Sequence, residues 1–257
     1  LTTIRIEFME YWILPVSFFL IALIYSSVGF GGGSSYLALL ALPAFSLGAD
    51  IIRPTSLLCN LFVVTGSSFV FITKRNSSIR EIWPYIILSI PLAWLGGFFR
   101  LTDQIFFVLL ASVLCVSSLL LWIQPVNKNI VMGTEKNTMP KVVAGGFVGF
   151  LSGLVSIGGG IFLSPFIHLL KWEPAKKIPA LSAVFILVNS VSGLLGQFMN
   201  NQPFPPLDFL LPLLLAVLIG GQLGSRLGLG FFNPVYIRRT TSIVVFLAAI
   251  LILRDHL

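Results

Sequence analysis

The sequence predicts an all-α polytopic membrane protein built from two inverted repeats. Each repeat is a glycine-broken segment, re-entrant or hairpin, followed by three transmembrane helices. Three observations lead there. Of 257 residues, 56% are hydrophobic and only 10% charged, too few charges to cover a soluble domain of this size. Apolar runs recur at 11–30, 54–73, 82–99, 104–123, 179–199, 207–224 and 236–253, each near the roughly 20 residues that span a hydrocarbon core. A glycine triplet interrupts an apolar run twice, in "SSVGFGGGSSYLALLAL" (26–42) and in "LVSIGGGIFLSPFIHLL" (154–170).

The first apolar run follows "RIEFMEYW", where Glu7 and Glu10 outweigh Arg5, and no small-residue cleavage motif follows it. It is expected to be retained rather than removed as a signal peptide. Cys59 and Cys115 both lie within apolar runs and read as small hydrophobes, not as a disulfide or metal site. The net charge of +7 comes from basic residues that flank the spans, as orientation in a bilayer demands. Nothing in the sequence reads as a nucleic-acid motif.

Aligning Gly31–Gly33 with Gly158–Gly160 exposes the repeat. Val28 meets Val155 and Phe30 meets Ile157. In both halves a second apolar piece follows (34–47; 161–170), then a short charged link ("GADIIRP"; "KWEPAKKIP"). A span then opens with Pro54 and Ser56 in one half and Pro179 and Ser182 in the other, carrying Asn60 and Asn189 respectively. Two further spans close each half. Weak internal symmetry of this kind marks transporter repeats. The expected organisation is a first repeat at 1–124, a cytoplasmic linker at 125–140 and a second repeat at 141–257.

Charge counting selects the hairpin topology. With each glycine segment folded back, one side holds Lys74, Arg75, Arg80, Lys128, Lys136, Lys141, Lys171, Lys176, Lys177, Arg226, Arg238 and Arg239. The other holds Arg5, Arg53, Arg100 and Arg254, a split of 12 to 4. If each glycine segment crosses once, the split is 8 to 8. Lys/Arg asymmetry sets orientation, so the hairpin is expected, with both termini, "LGADIIRP" and "NNQPFPPLD" outside.

Glycine in a helix interior costs about 1 kcal/mol relative to alanine, so the triplets need a reason. Glycine lets the chain leave helical φ/ψ, and irregular backbone at membrane depth survives only where protein buries it or a cavity lies beside it. A helix restarts after each triplet, and its first amides carry the positive dipole end. Two such ends with nearby serines form an anion site without a buried lysine or arginine. The expected substrate-binding residues are Gly31, Gly32, Gly33, Ser34, Ser35, Asn60, Ser156, Gly158, Gly159, Gly160 and Asn189. The two asparagines either line the cavity or bond neighbouring helices; Gln197 and Gln222 are weaker candidates. Isolated cases such as "WLGGFF" (94–99) and "LIGGQLGSRLG" (218–228) read instead as close-packing seams.

Asp50, Asp103 and Asp208 flank span ends, so no carboxylate proton or sodium site is visible at midspan. His168 and His256 fall at or beyond span ends. No serine–histidine pair or G-x-S-x-G elbow suggests an intramembrane hydrolase, and no G-x-x-x-x-G-K-[ST] motif suggests ATP use. The partners expected are a small anionic substrate and the lipid bilayer, with no cofactor, metal or catalytic residue.

"VGFGGGSSYLALLAL" with "PTSLLCNLF", and "GFLSGLVSIGGGIFLSPFI" with "PALSAVFILVNSVSG", resemble the TauE/SafE-type sulfite exporters, also called TSUP permeases. The likeness covers nearly the whole chain. Ser156 stands where that family often has glycine. The resemblance implies transport of sulfite, sulfonates or related organosulfur anions across a bacterial inner membrane. The expected function is a carrier for such oxyanions working by alternating access; an anion channel on the same scaffold is the alternative.

Overall fold

In a bilayer every backbone polar group needs an internal partner, which drives a long apolar chain into helices. The computed structural model describes residues 2–27, 29–42, 45, 47–75, 79–123, 138–174, 177–227 and 234–256, and among these it is all-helical without strands. The expected linker, 125–140, lies outside the described residues apart from its last three positions. The first half contains α1 (Thr2–Ser26), α2 (Gly33–Leu40), α3 (Ala49–Arg75), α4 (Ile79–Ile86), α5 (Ser89–Phe98) and α6 (Asp103–Ile123). The second contains α7 (Met139–Val155), α8 (Gly160–Leu169), α9 (Ile178–Met199), α10 (Leu207–Leu227) and α11 (Pro234–His256). Among the described residues four spans are long and apolar enough to cross a membrane: Glu81–Phe98, Asp103–Ile123, Ile178–Met199 and Leu207–Leu227.

The first of these spans, expected as one helix, is divided into α4 and α5 at Ile87–Leu88. Pro91 causes the break, because it has no N–H to donate to the carbonyl of Ile87 one turn earlier.

The halves pack with two-fold correspondence. α1 lies along α10 as α7 lies along α5; α3 meets α10 as α9 meets α5; α2 touches α11 as α8 touches α6. The self-paired contacts are α3 on α9 and α6 on α11. Small residues make the long seams. A Cβ at Gly145, Gly149 or Gly153 would strike Tyr85, Ser89 or Ala93, so α7 runs beside α4 and α5 in the same direction at backbone contact. Gly220 and Gly224 meet the carbonyls of Phe19 and Leu23 in the same way. The isolated glycine pairs are thus packing seams, as read from the sequence.

Polar contacts gather at two ends of the bundle. At one end, Ala49 N donates to Asp103 Oδ1 (3.0 Å), Gln202 Nε2 to Asp50 O (3.4 Å), Arg100 to Asn200 O, and Asn200 Nδ2 to Phe98 O (2.6 Å). At the other, Lys141 Nζ meets Glu173 Oε1 at 2.8 Å and Lys177 Nζ meets Glu81 Oε1 at 2.5 Å. The α2–α3 connection therefore sits with the first cluster, and its counterpart between α8 and α9 with the second. Cys59 is buried, Cys115 partly so, and both are free thiols.

Candidate functional site

Both helix breaks depend on left-handed backbone. After α1 the chain passes through Gly29 (φ 86°) and Gly32 (φ 91°) before α2 begins at Gly33. After α7 it passes through Ser156 (φ 64°), Gly158 (φ 84°) and Gly159 (φ 81°) before α8 begins at Gly160. A Cβ is penalised in this region by about 1–2 kcal/mol. Each triplet thus holds at least one glycine at a conformation other residues avoid.

The restarting helices leave amides unused. Gly32 O accepts from Ser35 N and Tyr36 N, and Gly159 O accepts from Phe162 N and Leu163 N. The earlier amides, of Gly33 and Ser34 and of Gly160 and Ile161, have no backbone acceptor among the described residues, as expected of a first helical turn. Both helix starts line one cavity, formed by Tyr25, Phe30, Gly31, Gly32, Gly33, Ser34, Ile157, Gly160, Ile161 and Ile186. Its volume is about 10 Å³, room for roughly one water.

Asn60 occupies the gap between the triplets. It is fully buried, and its Nδ2 donates to Ile157 O at 2.8 Å. A Cβ at Gly31 or Gly33 would collide with its carboxamide, and one at Gly158 would lie 2.9 Å from Nδ2. Only glycine lets both breaks close on this side chain. Ser56 Oγ, one turn earlier on α3, donates to Gly33 O at 3.1 Å. Ser35 Oγ bonds the Tyr25 hydroxyl.

Several buried polar atoms near the breaks have no hydrogen-bond partner among the described residues: Asn60 Oδ1, Tyr36 OH, Ser152 Oγ, Ser190 Oγ and Asn189 Oδ1. Tyr36 lies against Gly32, Ser152 against Gly159 and Ser190 against Gly158. An unsatisfied buried group costs about 1–3 kcal/mol, and these five lie behind the two breaks rather than in the cavity lining itself.

Of the eleven expected residues, Gly31, Gly32, Gly33, Ser34 and Gly160 line the cavity, Ser35, Asn60, Gly158 and Gly159 stand behind its wall, and Ser156 and Asn189 bond elsewhere. Asn189 Nδ2 donates to Phe185 O in its own helix (2.8 Å), and Asn189 does not line the cavity. Ser156 sits beyond the cavity wall, accepting from Gln197 Nε2 (2.8 Å) and Arg53 Nε (3.3 Å).

Arg53 is the residue that sequence reasoning missed. Counted there as a flanking charge, it is 1% exposed, and its other nitrogens donate to Phe99 O (3.1 Å) and Gly97 O (3.4 Å). The sequence shows only that the residue before the two aligned prolines is Arg53 in one half and Ile178 in the other, which does not reveal that the arginine turns inward.

The chain matches the family described as Sulfite exporter TauE/SafE over residues 14–252. It is 32% identical over 243 residues to a protein named as a probable membrane transporter of Sinorhizobium fredii, covering 93% of this chain and 97% of that one. It is 26% identical over 208 residues to another so named, from Methanocaldococcus jannaschii, covering 77% of each. No solved structure matches the chain.

Proposed function

The chain belongs to the sulfite exporter TauE/SafE family of membrane transporters, and on that premise we propose that it exports small sulfur-containing oxyanions, sulfite or organosulfonates, across a bacterial inner membrane. Transport proceeds by alternating access between two inverted repeats, without ATP hydrolysis. The observation that carries this reading is the convergence of both helix starts, with their unused amides, on one cavity beside Asn60. An oxyanion there faces two positive helix ends and neutral donors, which stabilise charge without holding the ion as tightly as a buried cation would. Gly31, Gly32, Gly33, Gly158, Gly159 and Gly160 shape the site; Ser34 and Ser35 supply hydroxyls on one side. Ser156 and Asn189 join from the second half when the helices part.

A cavity of about 10 Å³ is too small for sulfite, so the state described is occluded and the helices must separate to load. The placement of the α2–α3 and α8–α9 connections at opposite ends supports inverted repeats, as does the 12-to-4 charge split. The test is radiolabelled sulfite flux in proteoliposomes, with sulfate, thiosulfate, taurine and sulfoacetate as competitors. Saturable flux with competition is expected. Flux that stays linear with concentration favours an anion channel, and no flux of any of these solutes overturns the reading.

A further inference from the structure

At the Arg100–Asn200 end of the bundle a second, larger cavity opens, about 260 Å³ in volume, lined by Ala49, Asp50, Arg53, Arg100, Asp103 and Gln202 among others. Arg53 contributes a buried side chain to it. A buried cation normally needs a carboxylate partner, yet among the described residues no carboxylate oxygen lies within 4 Å of the Arg53 guanidinium. Its acceptors among the described residues are two carbonyls at the C-terminal end of α5 and the Ser156 hydroxyl. These engage three of the five N–H groups of a guanidinium.

The fold does not require this charge. By the two-fold correspondence, Arg53–Pro54 in the second turn of α3 matches Ile178–Pro179 at the start of α9, and Ser156 matches Gly29. A Cβ at Gly29 would strike Pro179, so the packing of break against span opening is the same in both halves. Ile178 fills its position as a buried aliphatic residue. An arginine therefore occupies a place that the scaffold fills elsewhere with isoleucine.

We propose that this vestibule is a second anion-binding station, in line with the glycine cavity, and that Arg53 receives the oxyanion there on its remaining N–H groups. The planar guanidinium suits two oxygens of one oxyanion. Arg100 adds a second cation on the same wall. The two carboxylates of the vestibule are turned to the start of α3: Asp103 Oδ1 accepts from Ala49 N, and Asp50 folds back over Gly48, 2.6 Å from where a Cβ would stand. Both thus face the positive end of that helix, which offsets their charge. Ser156 then joins the stations, since it bonds Arg53 while its neighbour Ile157 lines the glycine cavity. The proposal rests on the transport reading only for its oxyanion class.

The test uses Gln202→Cys in a background lacking Cys59 and Cys115, with the purified full chain in proteoliposomes and sulfate as the probe. Sulfate does not consume thiol reagents, as sulfite would. Modification by neutral N-ethylmaleimide is timed with and without sulfate at constant ionic strength. Sulfate is expected to protect the thiol, and Arg53→Gln to weaken that protection at least about tenfold in apparent affinity, the scale of one charge-assisted hydrogen bond. Arg53→Lys, which keeps the charge but not the fork, should fall between. Absence of protection in the parent overturns the proposal, and so does protection that Arg53→Gln leaves unchanged. Protein that moves no sulfur oxyanion yet shows Arg53-dependent protection keeps the station and overturns the transport reading. Sulfite transport without protection does the reverse.

Discussion

Asn60 on α3 donates from Nδ2 to the carbonyl of Ile157 at 2.8 Å, joining the first half of the chain to the helix break of the second. Asn60→Ala removes that donor and strands a buried carbonyl, at a cost of about 1–3 kcal/mol. Transport should fall with it. Asn189→Ala removes only a bond within its own helix, about 0.5–1.5 kcal/mol, and should be the milder change in both melting temperature and sulfite flux. The reverse order would mean that the two asparagines have exchanged roles.

The positive-φ glycines and the seam glycines should respond differently. Gly32→Ala and Gly159→Ala place a Cβ at left-handed φ, at about 1–2 kcal/mol, and also press on Tyr36 and Phe185. Both should lose anion affinity out of proportion to stability. Gly145→Ala presses on the Tyr85 backbone far from the cavity and should lower the melting temperature while leaving affinity near the parent's. Parent-like binding by both triplet variants would reduce the triplets to packing surfaces.

Ser156 holds φ 64° as a non-glycine residue, a strained choice unless its hydroxyl is needed. Ser156→Gly relieves about 1 kcal/mol of backbone strain and deprives Arg53 and Gln197 of their shared acceptor. Stability should hold or change by less than about 1 kcal/mol, while sulfite flux drops. Flux equal to the parent's would show that the hydroxyl is dispensable.

Lys141 and Glu173 form a largely buried pair, with Tyr85 OH also donating to Glu173 Oε1 at 3.5 Å. Lys141→Met alone should destabilise by about 2–3 kcal/mol, below the range for fully buried pairs because some water reaches this one. Adding Glu173→Gln should restore most of the loss. Thermal melts of the two single variants and the double variant read the coupling directly.

Orientation follows from the charge split. In whole cells, with an impermeant thiol reagent and a background lacking Cys59 and Cys115, Asn201→Cys should label and Lys171→Cys should not. Both positions are exposed, so labelling of Lys171→Cys alone would invert the assignment.

The helix breaks and the packing seams were legible because each is written in residue type: glycine where φ is positive or backbones touch. The span expected to open at Pro54 instead begins at Ala49, with the proline inside α3. Arg53 was not legible, since the linear order cannot show that "GADIIRP" turns its arginine inward, onto the end of α5. Asn189 does not mirror the bond that Asn60 makes across the halves, for a register reason. Asn60 lies six residues after Pro54, but Asn189 lies ten after Pro179, one turn too deep to reach the opposite break. The break between α4 and α5 needed only attention to Pro91 inside an otherwise continuous apolar run.

The small size of the glycine cavity bears on cellular energetics. Proton conduction needs a continuous file of hydrogen-bonded waters, and a space of about 10 Å³ holds roughly one. On the transport reading proposed above, the resting protein is expected to pass no protons, so proteoliposomes that carry it should hold an imposed pH gradient as long as protein-free vesicles do.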